Sequence, residues 1–238
     1  MIAVIGASGR IGREVMKGLP EAAALSRTTG FDLNEPDPAA LEGVERILLV
    51  TPHGPDQERL EANALAAATT AGVTHIVKIS GGAATLGPNG TTATAIAHWR
   101  SEQRIERSGV GFTFLRPSFF MQNLTELRAA PFAKAPIAMV DLRDVAACAV
   151  AVLTDPEPVT GAWSPTGPRA ITPDSVGVRK VPMWLARRAL SRQPTFERDH
   201  ALRMAAFLAA GGDAVATDHV LRLTGTQPRS IDTFQKEA

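Results

Sequence analysis

Residues Gly6 to Gly12 read GASGRIG, three glycines at intervals of three. Glycine at this spacing serves where a backbone turns sharply, where it approaches a pyrophosphate with no Cβ in the way, and where a helix meets a strand closely. A helix opening at this turn would add unpaired N–H groups and the positive end of its dipole, both favourable to phosphate. Gly6, Ala7, Ser8, Gly9, Arg10, Ile11 and Gly12 are therefore candidate contacts for a dinucleotide. Such a site places its ribose discriminator roughly 20 residues onward, an acid for NAD or a basic residue for NADP. Ser26 and Arg27 stand there, and a guanidinium can donate two parallel charge-assisted hydrogen bonds to a 2′-phosphate. Asp32 lies near the same spacing and could instead hold the ribose of NAD. NADP(H) is the expected cofactor, with NAD(H) the alternative.

The turn can do this only between a buried strand and a helix. The runs IAVIG, RILLVT and HIVKIS are short, β-branched and almost continuously apolar, as strands covered on both faces are. Strands are expected over Ile2 to Gly6, Ala22 to Arg27, Arg46 to Thr51, His75 to Ser80 and Gly111 to Arg116, with a brief one over Ala162 to Ser164. Helices are expected over Ile11 to Gly18, Asp56 to Ala71 and Ala95 to Ser108, the last two closed by Gly72 and Gly109. A short helical stretch from Asp37 to Gly43 has Asp37 placed to cap it and Pro38 at its first position. Alternating strands and helices specify an α/β fold, a doubly wound Rossmann parallel sheet. The proline- and glycine-rich stretch after Asp155 marks a change of texture, followed by helical patterns around Trp184 to Leu190, Phe196 to Ala210, DHVLRLTG and the residues after Ser230. The expected division is a core over 1–153, with 119–136 contributing to the substrate side, and a small α-rich C-terminal cap lobe over 154–238.

The chain has 238 residues, a formal net charge of +1, and Lys and Arg scattered along it, so nucleic acid is set aside as a partner. No charged n-region precedes a signal-type apolar stretch and no apolar run approaches the ~20 residues that span a bilayer, so a cytoplasmic protein with no membrane partner is expected. The single cysteine, Cys148, sits in the apolar run DVAACAVAVL and reads as a small buried thiol. His53, His75, His200 and His219 show no metal-ligand spacing, and no metal is expected.

The glycine turn, together with DLNEPDPAALEGVERILLVTP, HIVKISG, HWRSEQRIERSGVGFTFLRPSFFMQNL, VDLRDVAACAVAVL and TGTQPRSIDTF, resembles the atypical short-chain dehydrogenase/reductases of the NmrA-like group nearly end to end. That group includes NAD(P)-dependent quinone reductases and cofactor-sensing regulators. The resemblance implies that Asp32 and Leu33 border the adenine, Thr51 and Pro52 the nicotinamide ribose, and Ser80 and Gly81 the nicotinamide. It also implies that Pro117 to Asn123 line the substrate side. Two departures stand out. The stretch between Gly12 and Asp32 is compressed, and the Tyr-x-x-x-Lys pair of the classical superfamily is absent because the chain has no tyrosine.

The group often carries H-x-x-x-E on the corresponding helix, and His98 with Glu102 matches it. An i, i+4 spacing puts both side chains on one helix face. His98 is the candidate general acid or substrate-orienting donor, and Glu102 a structural partner for Arg100, Arg104 or Arg116. Lys78, in a strand, would either hold the cofactor or end the strand near solvent, the second being favoured. Phe112 and Phe114 alternate along a strand and read as core. Phe119 and Phe120, after the strand-ending Arg116 and Pro117, with Asn123, read as substrate contacts. The expected function is an NADPH-dependent reductase passing hydride to a small conjugated carbonyl or quinone-like molecule. The alternatives are a non-catalytic NADP(H) sensor and a redox-neutral cyclase or isomerase; a homodimer is left open.

Overall fold

The computed structural model describes residues 1–237. The chain runs β1 (Ile2–Ile5), α1 (Arg10–Gly18), β2 (Ala23–Leu25), β3 (Arg46–Leu49), α2 (Gln57–Thr70), β4 (His75–Ile79), α3 (Ala93–Arg107) and β5 (Gly111–Leu115). It continues with β6 (Ala129–Ala130), α4 (Leu142–Thr154), β7 (Gly161–Trp163), β8 (Arg179–Lys180), α5 (Met183–Ala189), α6 (Thr195–Ala209), α7 (His219–Thr224) and α8 (Ile231–Glu237). The main sheet has the order β2-β1-β3-β4-β5-β7, and every pairing in it is parallel. β2 and β3 flank β1 on opposite sides, so the winding reverses between β1 and β3. In an open α/β sheet that reversal opens a crevice beyond the carboxyl ends of the strands.

Strand alternation divides the core. Val4, Leu48, Val77 and Leu115 face α1 and α4, where they meet Ile11, Val15, Val145, Ala149 and Val152. Ala3, Ile5, Ile47, Leu49, Ile76 and Phe114 face the other way, onto Ala64 and Ala68 of α2 and Ile105 of α3. Burying each such Val, Leu or Ile contributes about 1.5–3 kcal/mol, which is why these runs are continuously apolar. Phe112 stacks on Phe114 at 4.6 Å, a core pair as the alternation implies.

The main strands and helices expected from the sequence are present, with ends shifted by one or two residues. Three features differ. After α1, the compressed region holds only a three-residue β2 and a 3₁₀ turn at Arg27–Thr29, closed by Gly30 at φ 87°. The stretch after Asp37 is a 3₁₀ turn, Pro38–Leu41, capped by the Asp37 carboxylate accepting from Ala39 N at 2.9 Å. α4 is an element that periodicity does not single out, because Ala147, Val150 and Ala151 on its less buried face are as apolar as the buried residues and leave little polar contrast to mark it. Asp141 caps it, accepting from Arg143 N at 2.8 Å. Cys148 on α4 is fully buried, and burial, with Asp144 nearby, pushes its thiol up to about 12.

β7 belongs to the main sheet although it follows residue 153, pairing Thr113 with Gly161. α7 likewise lies against α4, with Val220 buried in the α1–α4 side of the core. A separate apolar cluster joins Met121, Phe132, Ile137 and Met139 to Val178, Leu208 and Phe234. It anchors α6 and α8 beside the end of β5, next to the two-stranded β6–β8 sheet.

Candidate functional site

A cleft of about 700 Å³ opens beyond the carboxyl ends of β1 and β3, at the winding reversal. Its floor is the glycine turn. Gly6 sits at φ 87°, where a Cβ would run into the Val50 carbonyl, and its N–H donates to Leu25 O at 2.8 Å. Gly9 N donates to Gly6 O at 3.0 Å and closes the turn. Gly12 has a different role: a Cβ there would collide with the Gly6 carbonyl and lie 2.7 Å from Ala7 Cα. Ala7 and Gly12 are buried and let α1 seat on the turn, while Gly6, Ser8, Gly9, Arg10 and Ile11 line the cleft. The open cradle and the first turn of α1 fit a pyrophosphate.

Ser26, Arg27, Asp32 and Leu33 line the far end of the same cleft. Arg27 is exposed, and its guanidinium has no ion-pair partner among the described residues. Ser26 is buried, with its hydroxyl 2.7 Å from Thr28 Oγ1. The Asp32 carboxylate takes hydrogen bonds from the Asn34 backbone at 2.9 Å and side chain at 2.8 Å, which hold it below the usual carboxylate range. Thr51 and Pro52 border the near end, with His53 beside them.

Next to it lies a second cleft of about 450 Å³, bounded by Ser80, Gly81 and His98, by Phe119, Phe120 and Asn123, and by α6 residues including His200 and Met204. Phe120 lines both clefts. Ser80 and Gly81, expected at the nicotinamide, border this second cleft and not the first. The Ser80 hydroxyl is buried without a hydrogen-bond partner among the described residues. Glycine at 81 lets the His98 ring in, since a Cβ there would press on its Cδ2 at 3.1 Å.

Between the clefts is a buried polar cluster. Lys78 is fully buried, which corrects the expectation that it ends its strand near solvent. Its Nζ donates to Glu61 Oε1 at 2.7 Å and to His98 Nδ1 at 2.9 Å. Thr51 Oγ1 donates to the same Glu61 oxygen at 2.6 Å, which ties the cluster to the cofactor cleft. The Gln57 carboxamide lies 2.8 and 2.9 Å from the two His98 ring nitrogens. Burial of Glu61 works against its ionisation, but the Lys78 ammonium and His98 outweigh it and hold the carboxyl below its ordinary value. An ammonium has no acceptor, so Lys78 favours the tautomer of His98 with Nδ1 unprotonated and the ring proton on Nε2.

Burial, reinforced by Lys78, pushes His98 down to about 3. Of the two roles expected of His98, a ring held so low suits the substrate-orienting N–H donor at neutral pH. Glu102 forms a two-point ion pair with Arg116 at 2.6 and 3.0 Å, one of the structural partners expected for it, and Glu61 is the carboxylate that stands 3.8 Å from His98. Glu61 and Gln57 have no signal of their own in the sequence. Lys78 is the indirect one, since a strand ammonium requires a buried partner.

The residues 23–156 match the NAD(P)H-binding family model. The chain belongs to that family. It is 38% identical over 203 residues to the NAD(P)H azoreductase of Xenophilus azovorans, covering 72% of this chain and 70% of that protein. It is also 38% identical over 201 residues to the (4-alkanoyl-5-oxo-2,5-dihydrofuran-3-yl)methyl phosphate reductase of Streptomyces griseus, with the same coverage of 72% and 70%. Among solved structures, the NADPH complex of an NADPH-dependent quinone oxidoreductase from Escherichia coli superposes with a TM-score of 0.83 over 100% of both chains, at 20% identity. This member of the NAD(P)H-binding family thus has the fold of that oxidoreductase and the NmrA-like character implied by its motifs. Among the described residues, no helix is long and apolar enough to cross a membrane.

Proposed function

We propose that the chain is an NADPH-dependent reductase that delivers hydride to a small conjugated carbonyl or quinone-like acceptor. The observation that carries this reading is the meeting of two clefts at Phe120, with the His98 donor lining the second of them. Both curated relatives are named as reductases, one for an azo and one for an oxo-dihydrofuran substrate. When bound, NADPH supplies the hydride, and the overall reaction is quinone + NADPH + H⁺ → hydroquinone + NADP⁺. The chain positions the two reactants side by side and excludes water through Phe119 and Phe120. His98 Nε2–H donates to the acceptor oxygen as negative charge builds on it, with Lys78 holding the ring in the required tautomer. The proton that completes the product comes from solvent.

The test is steady-state NADPH oxidation with 1,4-naphthoquinone. His98→Ala is expected to lower kcat/KM by ~10², the usual cost of losing one preorganised donor. NADPH affinity should stay put, and His98→Gln should recover much of the rate. The parent's pH profile should carry no inflection from His98 between pH 5 and 8. Tight NADPH binding with no turnover on any acceptor would make the chain a cofactor sensor instead.

The preference for NADPH over NADH is assigned to Arg27. Arg27→Ala should weaken NADPH by about 1.5 kcal/mol, the low end for a hydrogen bond to a charged group, because the side chain is exposed. NADH should be nearly unaffected, so a pair of dissociation constants decides it; equal losses would shift the discriminating role to Asp32.

A further inference from the structure

We infer that the second cleft selects acceptors by charge, with Asp213 disfavouring anionic molecules and admitting uncharged or cationic ones. This rests on the reading of that cleft as the acceptor site. No Lys or Arg lines it, and Asp213 is its one carboxylate among the described residues. Two cations beside lining residues, Lys78 next to His98 and Arg116 next to Pro117, are engaged with Glu61 and Glu102. His98 and His200, the lining residues that could become positive, are held by burial to about 3 and about 4, so both are neutral at pH 7. The cleft therefore carries one unbalanced negative charge, where partly apolar walls screen it less than water does.

Asp213 is held firmly in the loop between α6 and α7. Its Oδ2 accepts from Ser118 Oγ at 2.8 Å and Phe119 N at 3.0 Å, and its backbone carbonyl accepts from Ala138 N at 2.8 Å. The other carboxylate oxygen receives no hydrogen bond from the protein. These bonds place the charge beside Phe119, in the cleft that His98 also lines. The cofactor cleft has the opposite character, with Arg10 and Arg27 lining it for phosphate. The two clefts thus sort an anionic cofactor from a non-anionic acceptor.

The experiment uses three probes on the NADP⁺-loaded protein: 1,4-naphthoquinone, its 2-sulfonate, and the 2-(trimethylammonio)methyl analogue. Dissociation constants come from calorimetry. The parent should bind the sulfonate at least ~10-fold more weakly than the ammonium compound, the scale expected of a single poorly screened charge. Asp213→Asn keeps an oxygen to accept from Ser118 and Phe119 while removing the charge, and should bring the ratio within about threefold. Asn123→Asp, on the same cleft, should widen it and serves if the Asp213 variant does not fold. Equal binding of sulfonate and ammonium by the parent overturns the inference, as does an unchanged ratio in folded Asp213→Asn. If the quinones bind but NADPH reduces none of them, the reductase reading fails while the ratio still decides charge selection. Absence of binding by all three overturns both.

Discussion

Gly9→Val is expected to fold like the parent and to bind NADPH at least ~100-fold more weakly, a loss of about 2.7 kcal/mol. Gly9 lies at φ −75° and ψ 171°, an extended conformation that valine adopts readily. Its Cβ would meet only the Gly6 carbonyl oxygen, at 3.2 Å, so a shift of a few tenths of an ångström accommodates it. The isopropyl group then occupies the floor of the cofactor cleft, where a pyrophosphate would lie against the backbone. Gly12→Val is the contrasting variant, since its Cβ collides with the turn itself and its cost falls on folding. Fluorescence titration with NADPH alongside thermal unfolding separates the two. Undiminished affinity in folded Gly9→Val would reduce GASGRIG to a structural turn.

Lys78→Met is expected to cost 3–5 kcal/mol of stability, read from urea unfolding, because it leaves the Glu61 carboxylate buried and unpaired. Removing both charges together, as in Lys78→Met with Glu61→Leu, should restore most of that loss, since an apolar pair of similar volume fills the space without a desolvation penalty. Activity should not return with stability. Without Lys78 the His98 Nδ1 loses the donor that fixes its tautomer, so the double variant should keep a low kcat/KM. A double variant as active as the parent would show the cluster to be structural only.

The part of the site that binds dinucleotide is legible in the sequence because it is local. GASGRIG follows a buried strand and opens a helix within a dozen residues, and each glycine has a backbone reason to be there. Ser26, Arg27, Asp32, Leu33, Thr51 and Pro52 then follow the strand ends and converge on one cleft. The Lys78–Glu61–His98 cluster is not local. It joins α2, β4 and α3, and an acid on a helix such as QERLEANAL looks solvated until tertiary packing closes over it. Helical spacing puts Glu102 on the face of His98 and offers Arg116 as its structural partner, which the structure bears out across 14 residues, but it gives no hint that Glu61 is the carboxylate beside the histidine. Asp213 was invisible for the same reason, standing 95 residues from Ser118. α4 escapes because its less buried face carries Ala147, Val150 and Ala151, so apolar residues run along both faces and hide the amphipathic period.

The burial of Cys148 has a chemical consequence for a reductase of this proposed kind. Quinones and enones are soft electrophiles that alkylate thiolates, and the thiolate is the reactive form of cysteine. The chain's one thiol is fully buried on α4 in the core shared with the sheet and α1, and its ionisation is pushed up to about 12. An electrophilic acceptor arriving at the native protein therefore meets no accessible thiolate, and thiol arylation by the substrate is not a route by which the folded catalyst would inactivate itself.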